Sequence, residues 1–269
     1  MSNIPQFLVG GISAGEWPKM NGKKVAMALF ETKCNNCVIE AMAPAYDQSE
    51  SGFNDKNLSQ IYSELLKFIK PILKLDLWVT LHLTNGNDAT ITRFGAENIC
   101  HEIIDKLIKD IGTKNIIICP VAETSNENNE QFLISYCINT WCAKGGKLIY
   151  NGSGRPLSIP ANYNILDYHT QDPQDLGPSV GKTTLIDTDN SPIIRWLRGG
   201  AYDGKYWNKD RVYDFAVKCK AKGNSLNLYA YQTTSIEEDA LKTMGGVYNI
   251  RNSPNWFEKL IANIKLILI

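Results

Sequence analysis

The stretch Asn57–Leu83, NLSQIYSELLKFIKPILKLDLWVTLHL, decides the fold. In its first part Leu58, Ile61, Leu65, Phe68, Ile69 and Ile72 recur at three- and four-residue spacing, laying an apolar stripe along one side of a helix. Asp76 breaks that period, and Leu77–Leu83 follows as a short apolar run that reads as a buried strand. A helix leading directly into a buried strand is half of a βαβ unit, so the same alternation is sought on either side.

It recurs. Ala96–Ile111 repeats apolar residues at three and four, Gly112 stands where a helix-ending residue belongs, and IIICPVAE (116–123) follows as a strand. A helix over Glu130–Ala143 is stopped by Gly145-Gly146 and followed by the strands KLIYN (147–151), YNILDYH (163–169) and TTLIDTD (183–189). A helix over Asp210–Lys222 precedes SLNLYAYQ (225–232), and a last helix runs over Trp256–Leu268. Towards the N-terminus, FLVGGIS (7–13) and CVIEAMA (37–43) supply two strands, with KVAMALFE (24–31) between them as a hairpin excursion.

Eight strands with interleaved helices in 269 residues predict an α/β chain folded as a single (β/α)8 TIM barrel over residues 1–269. Some 13 residues separate YNILDYH from TTLIDTD, so the connection from strand six to strand seven is shortened. A doubly wound open sheet would use fewer strands and carry a Gly-rich first turn; FLVGGISAGEW lacks the GxGxxG spacing.

Composition narrows the function. Lys plus Arg equal Asp plus Glu at 28 each, so no net field favours a nucleic acid or an anionic membrane as partner. No run of about 18 apolar residues is present to span a bilayer, and MSNIPQFLVGG shows no secretory signal pattern. Seven cysteines lie mostly in apparent core segments and read as buried small hydrophobes. Cys34 and Cys37 form the one close pair, but without a second pair or a nearby His they do not make a metal site, and no cofactor is expected. GPSVGKTTLIDTDN (177–190) resembles a phosphate-binding loop, yet only three residues separate Gly177 from Gly181, and a strand begins where the loop would need a helix. Asn151-Gly152-Ser153 matches a glycosylation sequon, which carries no weight without a secretion signal.

In a TIM barrel the chemistry sits at the C-terminal strand ends. Those positions hold Glu40 (strand two), His82 and Asn85 (three), Glu123 (four), Asn151 (five), Asp167, Tyr168 and His169 (six), Asp187 and Asp189 (seven), and Tyr231 (eight). Ends of strands four and seven face each other across an eight-stranded mouth. Glu123 with Asp187 or Asp189 can therefore supply the two carboxyl groups that glycosidic cleavage needs, one as acid and one as nucleophile or base. Trp17 falls in a loop on the same side, where its flat face can stack on a sugar ring. The expected site is thus catalytic Glu123, Asp187 and Asp189, with a carbohydrate contacted by Trp17, Glu40, His82, Asn85, Asn151, Tyr168, His169 and Tyr231.

On these segments the chain resembles the clan of retaining, cellulase-like (β/α)8 glycoside hydrolases. VAETS (121–125) is similar to that clan's strand-four ending, LHLTNG (81–86) to its His-bearing strand three, and DYHTQ (167–171) to an aromatic and His-bearing strand six. The resemblance implies Glu123 as acid/base and a strand-seven carboxylate as nucleophile, acting on a poly- or oligosaccharide with retention. Two positions depart from it: Ala122 precedes Glu123 where the clan carries Asn, and LIDTDN offers Asp where the clan carries Glu. Two other readings stay open, a glycan-binding barrel without activity and a metal-assisted hydrolase using His82, His169 and Asp187.

Overall fold

The computed structural model describes residues 3–11, 17–41, 56–85, 89–122, 128–151, 159–178, 181–188, 191–199, 207–228 and 238–269. Its strands are β1 (Val9–Gly10), β2 (Asn36–Glu40), β3 (Trp78–Asn85), β4 (Ile116–Ala122), β5 (Lys147–Asn151), β6 (Ile165–His169), β7 (Thr183–Asp187) and β8 (Ser225–Asn227). They close into one parallel barrel in sequence order, β8 pairing back onto β1 through Val9–Leu226 and Gly10–Asn227. The expected (β/α)8 barrel is the fold observed.

Among the described residues the helices are α1 (Gly22–Glu31), α2 (Leu58–Lys74), α3 (Ala89–Phe94), α4 (Ala96–Ile99), α5 (Lys106–Asp110), α6 (Asn128–Tyr136), α7 (Ser191–Leu197), α8 (Lys209–Ala221), α9 (Glu238–Tyr248) and α10 (Trp256–Ile267). A π-helical stretch, Cys100–Asp105, joins α4 to α5. None is long and apolar enough to cross a membrane. The stretch that decides the fold behaves as its spacing requires: Asn57 and Gln60 exchange hydrogen bonds in a capping box, and Leu58, Ile61, Leu65, Phe68, Ile69 and Ile72 are all buried against the barrel.

One expectation is corrected. KVAMALFE is not a hairpin but most of α1, the helix that follows the first strand. Asn21 caps it by accepting from the backbone N–H groups of Lys23 and Lys24. Its inner face is Val25, Ala26, Ala28 and Leu29. Those burials follow the helical spacing, and Ala, Met, Leu, Lys and Glu are strong helix formers. The shortened connection from β6 to β7 holds no helix among its described residues.

Two packed layers follow from strand alternation. Leu8, Val38, Trp78, Ile117, Cys119, Ile149, Ile165 and Leu185 fill the barrel interior, while residues of opposite phase such as Ile39, Val79, Leu81, Leu166 and Ile186 pack outward with the helices. The interior apolar filling ends near the N-terminal halves of β5, β6 and β7, and polar residues continue above it.

Gly10 shows how tightly the barrel closes. A Cβ there would fall 1.7 Å from the backbone oxygen of Asn36 on β2, an overlap that only backbone movement relieves. With β1 only two residues long, Gly10→Ala is expected to cost about 3 kcal/mol or more, read as a lowered urea midpoint against wild type.

The phosphate-loop lookalike also resolves. Gly177 and Gly181 adopt φ of +76° and +70°, and Lys182 donates to the carbonyls of Pro160, Ala161 and Tyr163. Its ammonium ties the loop before β6 to the start of β7 rather than facing an anion.

Candidate functional site

Alternation decides which side chains enter the barrel mouth. Ile165 points inward on β6, so Asp167 and His169 do too; Leu185 does so on β7, and Asp187 follows it. By the same rule Asn151 on β5, His82 on β3, Glu40 on β2 and Asn227 on β8 face the interior. Lateral registers join several of them: Glu40 with His82, Asn151 with Asp167, His169 with Asp187, and Asp187 with Asn227.

Asp167 is the centre of the cluster. It is 2% exposed, and its Oδ2 accepts from Asn151 Nδ2 at 2.9 Å. His82 Nε2 lies 3.1 Å from the same oxygen and His169 Nε2 lies 3.6 Å from it. Burial alone pushes the Asp167 carboxyl up, but the neighbouring imidazoles of His169 and His82 outweigh it and hold the group well below the usual carboxylate range. His169 Nε2 also stands 2.6 Å from Asn151 Nδ2. Its tautomer decides whether it shares a proton with Asp167 or offers a lone pair to the amide. Asp187 is 1% exposed and accepts from Asn227 Nδ2 at 3.0 Å.

Donor atoms of Asp167, His169 and Asp187 lie within 4.8 Å of one another, a spacing that a divalent cation can bridge. The Asn151 amide competes for that role. Its N–H group already points at Asp167 Oδ2, beside His169 Nε2, and a donor there opposes a cation.

The structure thus brings together five expected residues on inward-facing positions: Glu40, His82, Asn151, His169 and Asp187. Two other expectations are corrected. Tyr168 has the opposite phase to its neighbours; its ring packs in the outer layer against Gly177 and its hydroxyl donates to Asp175 at 2.6 Å. Trp17 is 1% exposed, with its indole against Phe68 and its Nε1 donating to the Glu40 carbonyl, so no face is open to a sugar ring. Asn85 ends β3, but its side chain lies outside the described residues, as do Glu123, Asp189 and Tyr231. Glu123 is the residue immediately after Ala122, where β4 ends.

Two members of the cluster were not among the expected site residues. Asp167 stood in the right segment, and period two along ILDYH pairs it with His169 rather than with Tyr168. Asn227 had a signal as well: Ser225 and Asn227 alternate with Leu226 in a strand too short and buried to tolerate polar groups without a partner.

All seven cysteines are free, and all but Cys142 are buried. Burial pushes the Cys34 thiol up to about 12, with its Sγ against the Leu241 carbonyl, and pushes Cys37 higher still. Such thiols are inert packing groups. His101 sits on the surface and bonds Asp105 on its own helical segment.

No protein-family model matches this chain, and no curated protein matches its sequence. Solved structures do match in fold. A glycoside hydrolase family 5 enzyme of Prevotella bryantii B14 superposes with a TM-score of 0.56 at 10% identity, over 93% of this chain and 99% of that one. A variant of that enzyme, in complex with a xyloglucan tetradecasaccharide, gives 0.51 at 11% identity over 92% and 95%. A tri-modular family 5, subfamily 4 endo-β-1,4-glucanase of Bacillus licheniformis gives 0.53 at 11% identity, over 90% of this chain and 60% of that one. The chain has the (β/α)8 fold of the cellulase-like glycoside hydrolases to which its sequence bears a resemblance.

Proposed function

We propose that this protein is a glycoside hydrolase that cleaves a poly- or oligosaccharide at the C-terminal mouth of its barrel. The observation that carries the reading is the inward carboxylate at the end of β7, Asp187, anchored by Asn227 and set beside a buried His82–Asp167–His169–Asn151 cluster. Three strands away around the barrel β4 ends at Ala122, and Glu123 follows it in the chain. Glu123 is the general acid that protonates the leaving oxygen, and Asp187 is the carboxylate that attacks the anomeric carbon or activates water. His82 and His169, held by Asp167, fix the polar wall against which the sugar hydroxyls lie, and Glu40 extends it toward β2.

Two of the structurally similar enzymes are a β-1,4-glucanase and a protein captured with xyloglucan, which makes β-linked glucans the first substrates to try. New reducing ends released from soluble β-1,4-glucan or xyloglucan are the expected result. Binding of these polymers without release would instead identify a glycan-recognition barrel. Stereochemistry is read from the first-formed anomer by NMR: carboxyl groups about 5–5.5 Å apart give retention, and about 6.5–9.5 Å give inversion.

The spacing of Asp167, His169 and Asp187 favours one second reading, metal-assisted hydrolysis. Hydrolysis that survives chelation, in protein free of stoichiometric metal, is expected on the glycosidase reading and excludes the metal one.

A further inference from the structure

The C-terminal helix α10 carries its main apolar face outward. Trp256 is 75% exposed, Phe257 56% and Ile267 75%, and Leu260, Ile261 and Ile264 are also exposed. At 100° per residue these six fall within about 140° of the helix circumference, so they form one continuous face. The opposite side, Ala262 and Leu266, is what packs on the body of the protein, beside α1 and α2. Lys259, on the packed side, bridges to Glu31 of α1 at 3.3 Å.

With ordinary side-chain areas, and with Leu268 and Ile269 included, these exposures leave on the order of 800 Å² of apolar surface, above the largest patch of a typical monomer and equal to one partner's share of a standard interface. A charged pair on one edge of the face indicates what covers it. Glu258 and Lys265 are seven residues apart, hence on the same edge, and they stand at equal distances from the helix midpoint. When two such helices pack antiparallel about a twofold axis, each Glu258 meets the partner's Lys265, giving two ion pairs at the two ends of one rim. The same symmetry brings the partner's Trp256 to the C-terminal end of the helix. There Ile269 lines a cleft of about 590 Å³ together with the apolar Leu66 and Phe68 and the lysines Lys23, Lys67 and Lys70. An anionic lipid surface fits less well, because the rim carries both signs of charge and the chain's net charge is zero.

We propose that α10 is the dimerisation helix of this protein, and that its outward face is covered by α10 of a second copy in antiparallel, twofold packing. This is independent of the proposed activity, since α10 lies on the helical layer and not at the barrel mouth.

Sedimentation equilibrium of the full chain from nanomolar to high micromolar concentration is expected to show a monomer of 30.1 kDa in equilibrium with a particle of twice that mass. Ile264→Glu should raise the dimer dissociation constant at least about thirtyfold with an unchanged circular dichroism spectrum. Lys265→Glu leaves the Asn255–Glu258 capping box intact and should weaken the dimer about tenfold, as should Glu258→Lys. Mixing the E258K and K265E chains makes both ion pairs attractive again and should restore association. A wild-type chain that stays monomeric, whether or not it binds vesicles of equimolar phosphatidylcholine and phosphatidylglycerol, overturns the proposal. So does a dimer indifferent to Ile264→Glu, or a charge-swapped mixture that fails to reassociate.

Discussion

Asp187→Asn is expected to lower turnover of a cleavable glycan by about a thousandfold or more while leaving the barrel folded. The substitution keeps the shape of the side chain, and an amide can still meet Asn227 on one side. It removes the negative charge that attacks the anomeric carbon or takes a proton from water. Asp189, two residues on, is the control. Asp189→Asn should cost less than tenfold if Asp187 is the reacting group, and a reversal of the two effects would move the assignment to Asp189. Glu123→Gln should match Asp187→Asn in severity, because the paired mechanism needs both an acid and a base. Activated substrates with good leaving groups sharpen the comparison. They need little protonation, so Glu123→Gln should recover activity on an aryl glycoside far more than Asp187→Asn does. Equal losses of both variants on both substrates would sink the division of roles.

The barrel was legible because parallel strands buried on both faces read as near-continuous apolar runs, and Asn57–Leu83 shows one such run joined to an amphipathic helix. Register and closure were not legible, since they depend on contacts such as Gly10 against Asn36 that no local pattern records. KVAMALFE was misread because a short apolar run fits either period. The deciding signal was the preceding Asn21, whose side chain closes the first turn of a helix. At the site, strand ends located the right segments, but pairing Tyr168 with His169 ignored alternation, which turns Tyr168 to the outer layer and sets Asp167 beside His169. Trp17 failed for a different reason: its segment reads as a loop, and only the tertiary fold shows that α2 covers the indole through Phe68.

The second large effect concerns Asp167, through stability rather than turnover. Asp167→Ala is expected to cost about 3–5 kcal/mol, because it leaves His82, which is 4% exposed, and Asn151, which is 2% exposed, facing a cavity without the carboxylate that joins them. For a chain of this size that is a fall in melting temperature of about 5–10 °C. The pH dependence gives the charge its own signature. The Asp167 carboxyl is held well below the ordinary carboxylate range in the fold, whereas the unfolded chain would titrate it near about 3.9. The folded state therefore binds fewer protons than the unfolded state through that window. The resulting stability is fully present above roughly pH 5 and drains away as the pH falls through the unfolded value toward the folded one. Asp167→Asn keeps the volume and a hydrogen-bonding group but has nothing to titrate. Its urea midpoint should be lower than wild type at neutral pH, and the two curves should converge on acidification below about pH 4. Parallel curves over that range would show that Asp167 is held by packing alone, and that the two histidines do not depend on its charge.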